Sequence, residues 1–323
     1  VGALILRRLA HGAVIVWLAA SLTFVLLQLA PGDPVRTALD SPFASPEMRE
    51  YWANRYGLDQ PLHIQYWRYL TSVAQGDFGF SFPHHRPVGE LLAAALPNTL
   101  LLMGVAIVLA FLGGIIIGIV QATRRGQPLD WGLGMGSLVF YSMPDFWLAL
   151  MMLLVLAYRM RLFPVTGMVD PVLYPTMGFW GRVADVVWHL TLPATTLALL
   201  ASAAVARFQR AALLDVARQD FVRVARAKGL SERRIVWRHV LRNALLPVIT
   251  MFGLAFPALL GGSVFVEKVF SWPGMGTLTV DAIAARDYPL VTASVIVASA
   301  LVTAGSLISD LLYALADPRV RSE

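Results

Sequence analysis

The side chains able to do chemistry are few. The 323 residues contain six histidines and no cysteine, so thiolate catalysis, disulfides and Cys-ligated metals are excluded. His11, His63, His84, His85, His189 and His239 all lie outside the interior of any long apolar stretch. The adjacent pair His84-His85 points its rings apart and has no carboxylate cluster at ligand spacing, so it reads as loop, and no metal site is expected. A phosphate-binding loop needs Gly-Lys-[Ser/Thr], whereas Lys228 sits between Ala227 and Gly229, and Lys268 between Glu267 and Val269. The chain cannot bind ATP in that way. Gly132-x-Gly134-x-Gly136 follows no strand, and Gly76-Asp77-Phe78-Gly79-Phe80-Ser81 leads into no phosphate-binding helix start. One ionisable group lies deep in an apolar stretch. Asp145, directly after Pro144, either caps groups freed by the proline or faces a wet cavity and attracts a cationic solute end. No Ser/His, paired-Asp or His/Glu constellation accompanies it, so intramembrane hydrolysis is not expected.

The elements around these groups belong to a membrane. Hydrophobic residues make up 57% of the chain and charged residues 14%, against about 45–50% and 25% in soluble domains. Six stretches are long enough to cross a bilayer as helix, which takes about 17–25 residues. They are Gly12–Ala30, Thr99–Val120, Leu133–Tyr158, Leu190–Ala206, Ala244–Val266 and Leu290–Ile308. Arg7 and Arg8 precede the first as in a signal peptide, but Gln28 and Pro31 spoil a cleavage site, and an uncleaved helix is expected. With both termini cytoplasmic, the inner segments carry 16 Lys and Arg against 10 outside, as the positive-inside bias requires. The fold class is therefore an all-α membrane protein of six transmembrane helices. Residues 1–30 hold the amino terminus and first helix, 31–98 an extracytoplasmic insert, and 99–323 the core, with a cytoplasmic hairpin at 207–243.

The insert opens with the turn Pro31-Gly32-Asp33-Pro34. It predicts one helix from Pro46 to about Tyr56 behind Ser45, and a second from Pro61 to Ala74. Leu62, Tyr66, Tyr69 and Val73 form an apolar face on the second, which either caps the bundle or receives a soluble partner. Gly114-x-x-x-Gly118, Gly253, Gly261 and Gly262 permit close helix approach. On the cytoplasmic side the fourth helix is expected to continue past Arg207. The helical period runs on to Asp220, and a two-turn helix follows, Phe221-Val222-Arg223-Val224-Ala225-Arg226-Ala227-Lys228, then Gly229-Leu230 and a second helix from Ser231. Gly229 accepts the left-handed conformation that ends a helix. Membrane lipid attracts any basic run, at about 1 kcal/mol per base. A small apolar surface on a glycine-broken hairpin instead suits a protein groove. The patch lacks the aromatic interleaving of a nucleic-acid surface.

This hairpin resembles that of permease subunits of ATP-binding-cassette importers, in the dipeptide, oligopeptide and nickel branch. The family signature has a Glu-Ala-Ala stretch, a glycine, and a later Leu-Pro. Here Ala225, Gly229 and Leu246-Pro247 match, with Arg223 at the glutamate position and Val224 at the first alanine, as in the peptide branch. Arg238-His239 and Arg242-Asn243 to Pro247 also match. Further likenesses in the same order are Arg7-Arg8-Leu9, Ala30 to Pro34, Gly57 to Pro61, Gly76 to Gly79, Met143 to Trp147, Leu192 to Ala194, Glu267 to Gly276 and Ala316 to Arg319. The resemblance implies a type I importer fold and a pore shared with a second, usually non-identical permease. It also implies two ATPase subunits, which supply ATP and Mg and grip the hairpins, and an extracytoplasmic binding protein, in a bacterial or archaeal plasma membrane. The helix carrying Pro257, Gly261, Gly262 and Phe265 is then expected to line and gate the path. Peptides are favoured over nickel because no histidine lies well inside a span. An ion-coupled secondary transporter, which would show several mid-depth charges and an internal repeat, is the alternative of a different class.

Overall fold

A computed structural model describes residues 2–29 and 60–316; the expected turn at Pro31–Pro34 and helix at Pro46–Tyr56 lie outside them. The regular structure of the described residues is helix, apart from one two-stranded ribbon. The chain folds as two compact units, one of Gly2–Thr99 with Pro273–Ala304 and one built chiefly of Leu100–Trp272.

The unit of Gly2–Thr99 with Pro273–Ala304 contains α1 (Gly2–Leu29), α2 (Leu62–Ala74) and the ribbon β1 (Phe80–Ser81) with β2 (Arg86–Pro87). It also holds the start of α3 (Val88–Thr123), α11 (Met275–Ala284) and most of α12 (Tyr288–Ala316). Its core is formed by Val88, Leu92, Ala95, Met275, Ala282, Leu290 and Ala293. α2 begins one residue after Pro61 and lays Tyr66 and Tyr69 against Phe24 of α1, with ring centroids 5.4 and 5.5 Å apart. The Tyr66 hydroxyl also meets Ser21 Oγ at 2.7 Å. Most of the apolar face expected on α2 thus packs inward, although Leu62 remains exposed. Gly12 of α1 leaves room for the Thr303 side chain of α12.

The ribbon is pinned to the turn before α12. Ser81 Oγ donates to Asp287 Oδ2, and both residues are buried. His84 Nδ1 lies 3.0 Å from Ser81 Oγ and 3.6 Å from the Asp287 carboxylate. The His84-His85 pair is loop as expected, and one of its rings has a buried acid beside it.

The central unit holds the remainder of α3, then α4 (Pro128–Ser142) and α5 (Asp145–Met152), which runs on as a π-helical segment Leu153–Arg159. α6 (Phe179–Val216) follows, then α7 (Asp220–Ala227), α8 (Glu232–Arg234), a second π segment Ile235–Val240, α9 (Leu241–Ala244) and α10 (Leu246–Val269). Leu102, Met103, Ala106, Ala110, Ala149, Leu192, Leu197, Val205, Val266 and Trp272 form the core. Gly114 and Gly118 make the close approach expected of them. A Cβ at Gly114 would lie 2.6 Å from Val205 Cβ of α6, and one at Gly118 2.7 Å from Gln209 Cβ.

Two stretches differ in detail from their sequence bounds. Leu133–Tyr158 breaks at Met143-Pro144, where α4 and α5 bend by 108°. Pro144 cannot continue the hydrogen-bond ladder of α4, and its extended backbone (φ −63°, ψ 138°) starts α5 in a new direction. The second stretch begins as helix at Val88 rather than at Thr99 and absorbs Pro97. Among the described residues four helices are long and apolar enough to cross a membrane, and the bent pair makes up to a fifth. α10 coincides with the expected fifth stretch, with part of its side chains outside those described.

Candidate functional site

Two features of the central unit hold the residues singled out by sequence, a helical hairpin and a cavity. The hairpin is carried by α6, which continues through Arg207 and ends at Val216. A turn over Ala217, Arg218 and Gln219 reverses the chain into α7, whose first turn holds Asp220 and whose last holds Arg226. The placement of both charges suits the helix dipole. Gly229, at φ +75°, ends the helix. The Leu230 N–H donates to the Ala225 carbonyl at 3.3 Å, and the Gly229 N–H to the Arg226 carbonyl at 2.9 Å. These two bonds are the Schellman arrangement, and they satisfy carbonyls that a helix end otherwise leaves open.

Helical periodicity sorts α7 into two faces. Val222 and Ala225 are buried against Leu213 and Val216 of α6 and against Ile235 and Val240 of the returning helix. Phe221 and Val224 point away and are 38% and 52% exposed, while Arg223, Ala227 and Lys228 are exposed beside them. The Arg226 guanidinium closes the turn on Glu232, donating from Nε at 2.7 Å and from Nη2 at 3.3 Å. That pairing holds the Glu232 carboxyl below the usual carboxylate range, chiefly through the hydrogen bond from Arg226. Ser231 occupies the expected cap position, but its side chain makes no capping bond.

The cavity has a volume of about 610 Å³ and is lined by α3, the α4–α5 break, α6 and α10. Its wall is apolar, from Phe111, Met143, Pro144, Leu197, Ala201 and Met251 among others, with Asp145 as its ionisable carboxylate. Asp145 Oδ1 accepts the Phe146 N–H at 3.2 Å, and the residue lines the cavity. Tyr141 lines the same wall, and the Arg207 guanidinium lies over its ring at 5.4 Å from the centroid.

The expected gate residues are only partly gathered there. Phe265 is exposed and does not line the cavity; its ring faces that of Phe146 at 6.4 Å. Pro257, Gly261 and Gly262 lie within α10, and their side chains are outside those described.

Sequence reasoning missed the link at the base of these features. Arg210, on the extension of α6, donates from Nε and Nη2 to the two oxygens of Asp130 at 3.0 and 2.9 Å. Asp130 also accepts the Gly126 N–H at 3.0 Å. In sequence Asp130 is merely an acid in a first helical turn, and its partner lies 80 positions away. The hairpin-bearing helix is thereby tied to α4, the helix that leads into the cavity break.

Comparison with known proteins places this geometry. Residues 2–103 match the amino-terminal family described as a binding-protein-dependent transport system membrane component. The chain is 42% identical over 319 residues to the oligopeptide transport system permease protein AppB of Bacillus subtilis, covering 98% of this chain and 99% of that protein. It is 41% identical to the di/tripeptide permease DppB of Pseudomonas aeruginosa, with 94% of each covered. It is 42% identical to the glutathione permease GsiC of Salmonella paratyphi A, with 98% of each covered. A chain of the MetNI methionine ABC transporter, solved in an inward-facing conformation, shares the fold with a TM-score of 0.52 at 20% identity. That likeness covers 69% of this chain and 96% of the solved one. Residues 114–322 match the binding-protein-dependent transport system inner membrane component, and the chain belongs to that family, the membrane-embedded permeases of ATP-binding-cassette transporters.

Proposed function

We propose that this chain is one half of the pore of an ATP-driven importer of dipeptides or oligopeptides. The observation that carries the proposal is the hairpin: a small helix locked by a Schellman turn, with Phe221 and Val224 exposed among basic side chains on its outer face, on a helix that also walls the cavity. Two partner ATPases grip Phe221 and Val224, and their closure on ATP moves α6. The Arg210–Asp130 pair passes that movement to α4 and so to the break at Pro144. Nucleotide state thereby selects between two packings of one bundle. A second permease completes the pore, and an extracytoplasmic binding protein delivers the solute. ATP and Mg act on the ATPases, and this chain carries no cofactor.

In this reading six helices span the membrane with both termini in the cytoplasm, and the bent pair α4–α5 and α10 complete the number. The peptide specificity of the relatives supports peptides as the solute. Asp145 meets the cationic amino end of a peptide in an otherwise apolar cavity. α10 moves as the gate, with Pro257, Gly261, Gly262 and Phe265 along it.

The test uses the purified assembly in proteoliposomes. ATP hydrolysis that rises with peptide-loaded binding protein, together with peptide uptake, supports the proposal; uptake by this chain alone defeats it. Within the same assembly, Asp145→Asn should lower uptake of peptides several-fold while leaving assembly unchanged. Equal uptake by this variant removes Asp145 from the path.

A further inference from the structure

On the returning strand of the hairpin a different chemistry is exposed. Ser231, Arg233, Arg234, Trp237 and Arg238 line one open groove of about 500 Å³. Trp237 is 57% exposed, an unusual position for a large aromatic on a cytosolic helix. Arg233, Arg234 and Arg238 form no ion pair with any described residue, whereas Arg226, Arg223 and Arg210 nearby are all paired. The charge in the groove is therefore uncommitted.

The groove also has a direction. One and two helical turns beyond Arg238 come Arg242, exposed, and Leu246, 37% exposed and the first residue of the apolar helix α10. Arginines with an indole among them, leading into an apolar helix, match a headgroup layer of basic and aromatic side chains beside hydrocarbon. The outer face of α7 offers a protein partner Phe221 and Val224. The groove offers cations and an amphipathic ring, which a phosphodiester with acyl chains matches and a protein groove lined for α7 does not.

We propose that this groove binds the headgroup of an anionic phospholipid of the inner leaflet. Arg233, Arg234 and Arg238 hold the phosphate, Trp237 packs against the headgroup among them, and the acyl chains follow Leu246 along α10. The lipid braces the returning strand of the hairpin against the membrane.

The experiment titrates the purified full chain, in neutral detergent, with dioleoylphosphatidylglycerol or dioleoylphosphatidylcholine, and counts bound lipid by native mass spectrometry. Each guanidinium is expected to contribute about fivefold to affinity, so phosphatidylglycerol should bind at least about tenfold tighter than phosphatidylcholine. That preference should vanish in R233Q/R234Q/R238Q and persist in R124Q/R125Q/R218Q, which removes the same charge from other exposed cytoplasmic positions. Trp237→Ala, with the charge intact, should weaken binding about fivefold through lost interfacial contact. All these side chains are exposed, so size-exclusion profiles should not change. Glycerol 3-phosphate should fail to displace the lipid at equal concentration; displacement would make this a free-phosphate site and overturn the proposal. Equal lipid binding by the two triple variants also overturns it. If R233Q/R234Q/R238Q keeps the lipid preference and loses only the ATPase subunits, the groove belongs to them and the proposal falls.

Discussion

At Gly229 nothing lies within 4 Å of where a Cβ would stand, so space does not select glycine there; the positive φ does. A left-handed conformation costs an L-residue roughly 1–2 kcal/mol, and more when the side chain is β-branched. Gly229→Ala should therefore reduce peptide-stimulated ATP hydrolysis in part and Gly229→Val almost wholly, with membrane abundance of both unchanged by immunoblot. Equal activity in the two variants would contradict a conformational role. Glu232 adds a pH dependence of known sign. Its carboxyl is depressed by Arg226, so the clamp contributes in full above the ordinary glutamate value of about 4.3 and is lost as pH falls through the lower folded value. Both partners are half-exposed or more, so the contribution is small. Hydrogen exchange at residues 222–230 should be flat from about pH 8 to 5, correcting for intrinsic rates, and should rise below about pH 4. In Glu232→Gln the extra protection should be missing throughout.

Between elements, the contacts are strict at the carboxyl-terminal end of α3. A leucine at Gly118 would drive into Gln209 and the Ala206 carbonyl, which a Cβ would already approach to 2.8 Å. Gly118→Leu should cost about 1–3 kcal/mol as overpacking, seen as a lower melting midpoint of the purified chain. The Arg210–Asp130 pair invites a complementary test. Removing Arg210 leaves a largely buried carboxylate without its main partner, and an unpaired buried acceptor is costly. Arg210→Gln should thus uncouple ATP hydrolysis from uptake more than it lowers abundance. Arg210→Lys should recover only part, because an ammonium cannot make the two-pronged contact.

These elements also show what a sequence can reveal. The hairpin was legible because α7, its glycine stop and its basic last turn are local events. The close glycines of α3 were legible from spacing alone. Pro144 announced a break but not an angle of 108°, since direction is set by packing of α5 on its neighbours. The π segments carry no simple sequence signal. The Asp130–Arg210 and Ser81–Asp287 pairs join residues 80 and 206 positions apart, and periodicity does not report such distances.

For the whole molecule, the absence of cysteine gives a clean assay of orientation. Single substitutions Val224→Cys and Val172→Cys, at exposed positions, should react with a membrane-impermeant maleimide from opposite sides. The first should label only in inverted vesicles, the second only in right-side-out ones. The reverse pattern would overturn the topology drawn from the distribution of arginine.

The stitch between Ser81 and Asp287 has a temporal meaning as well. A ribosome makes the ribbon early and its permanent neighbour some two hundred residues later, so the unit that joins Gly2–Thr99 to Pro273–Ala304 cannot close until late in synthesis. The stretch Leu100–Trp272 that forms most of the central bundle is made before Asp287 and can settle first. A stop codon placed just upstream of Asp287 should therefore leave a nascent product with a finished middle and an open flank, a natural substrate for membrane quality-control proteases.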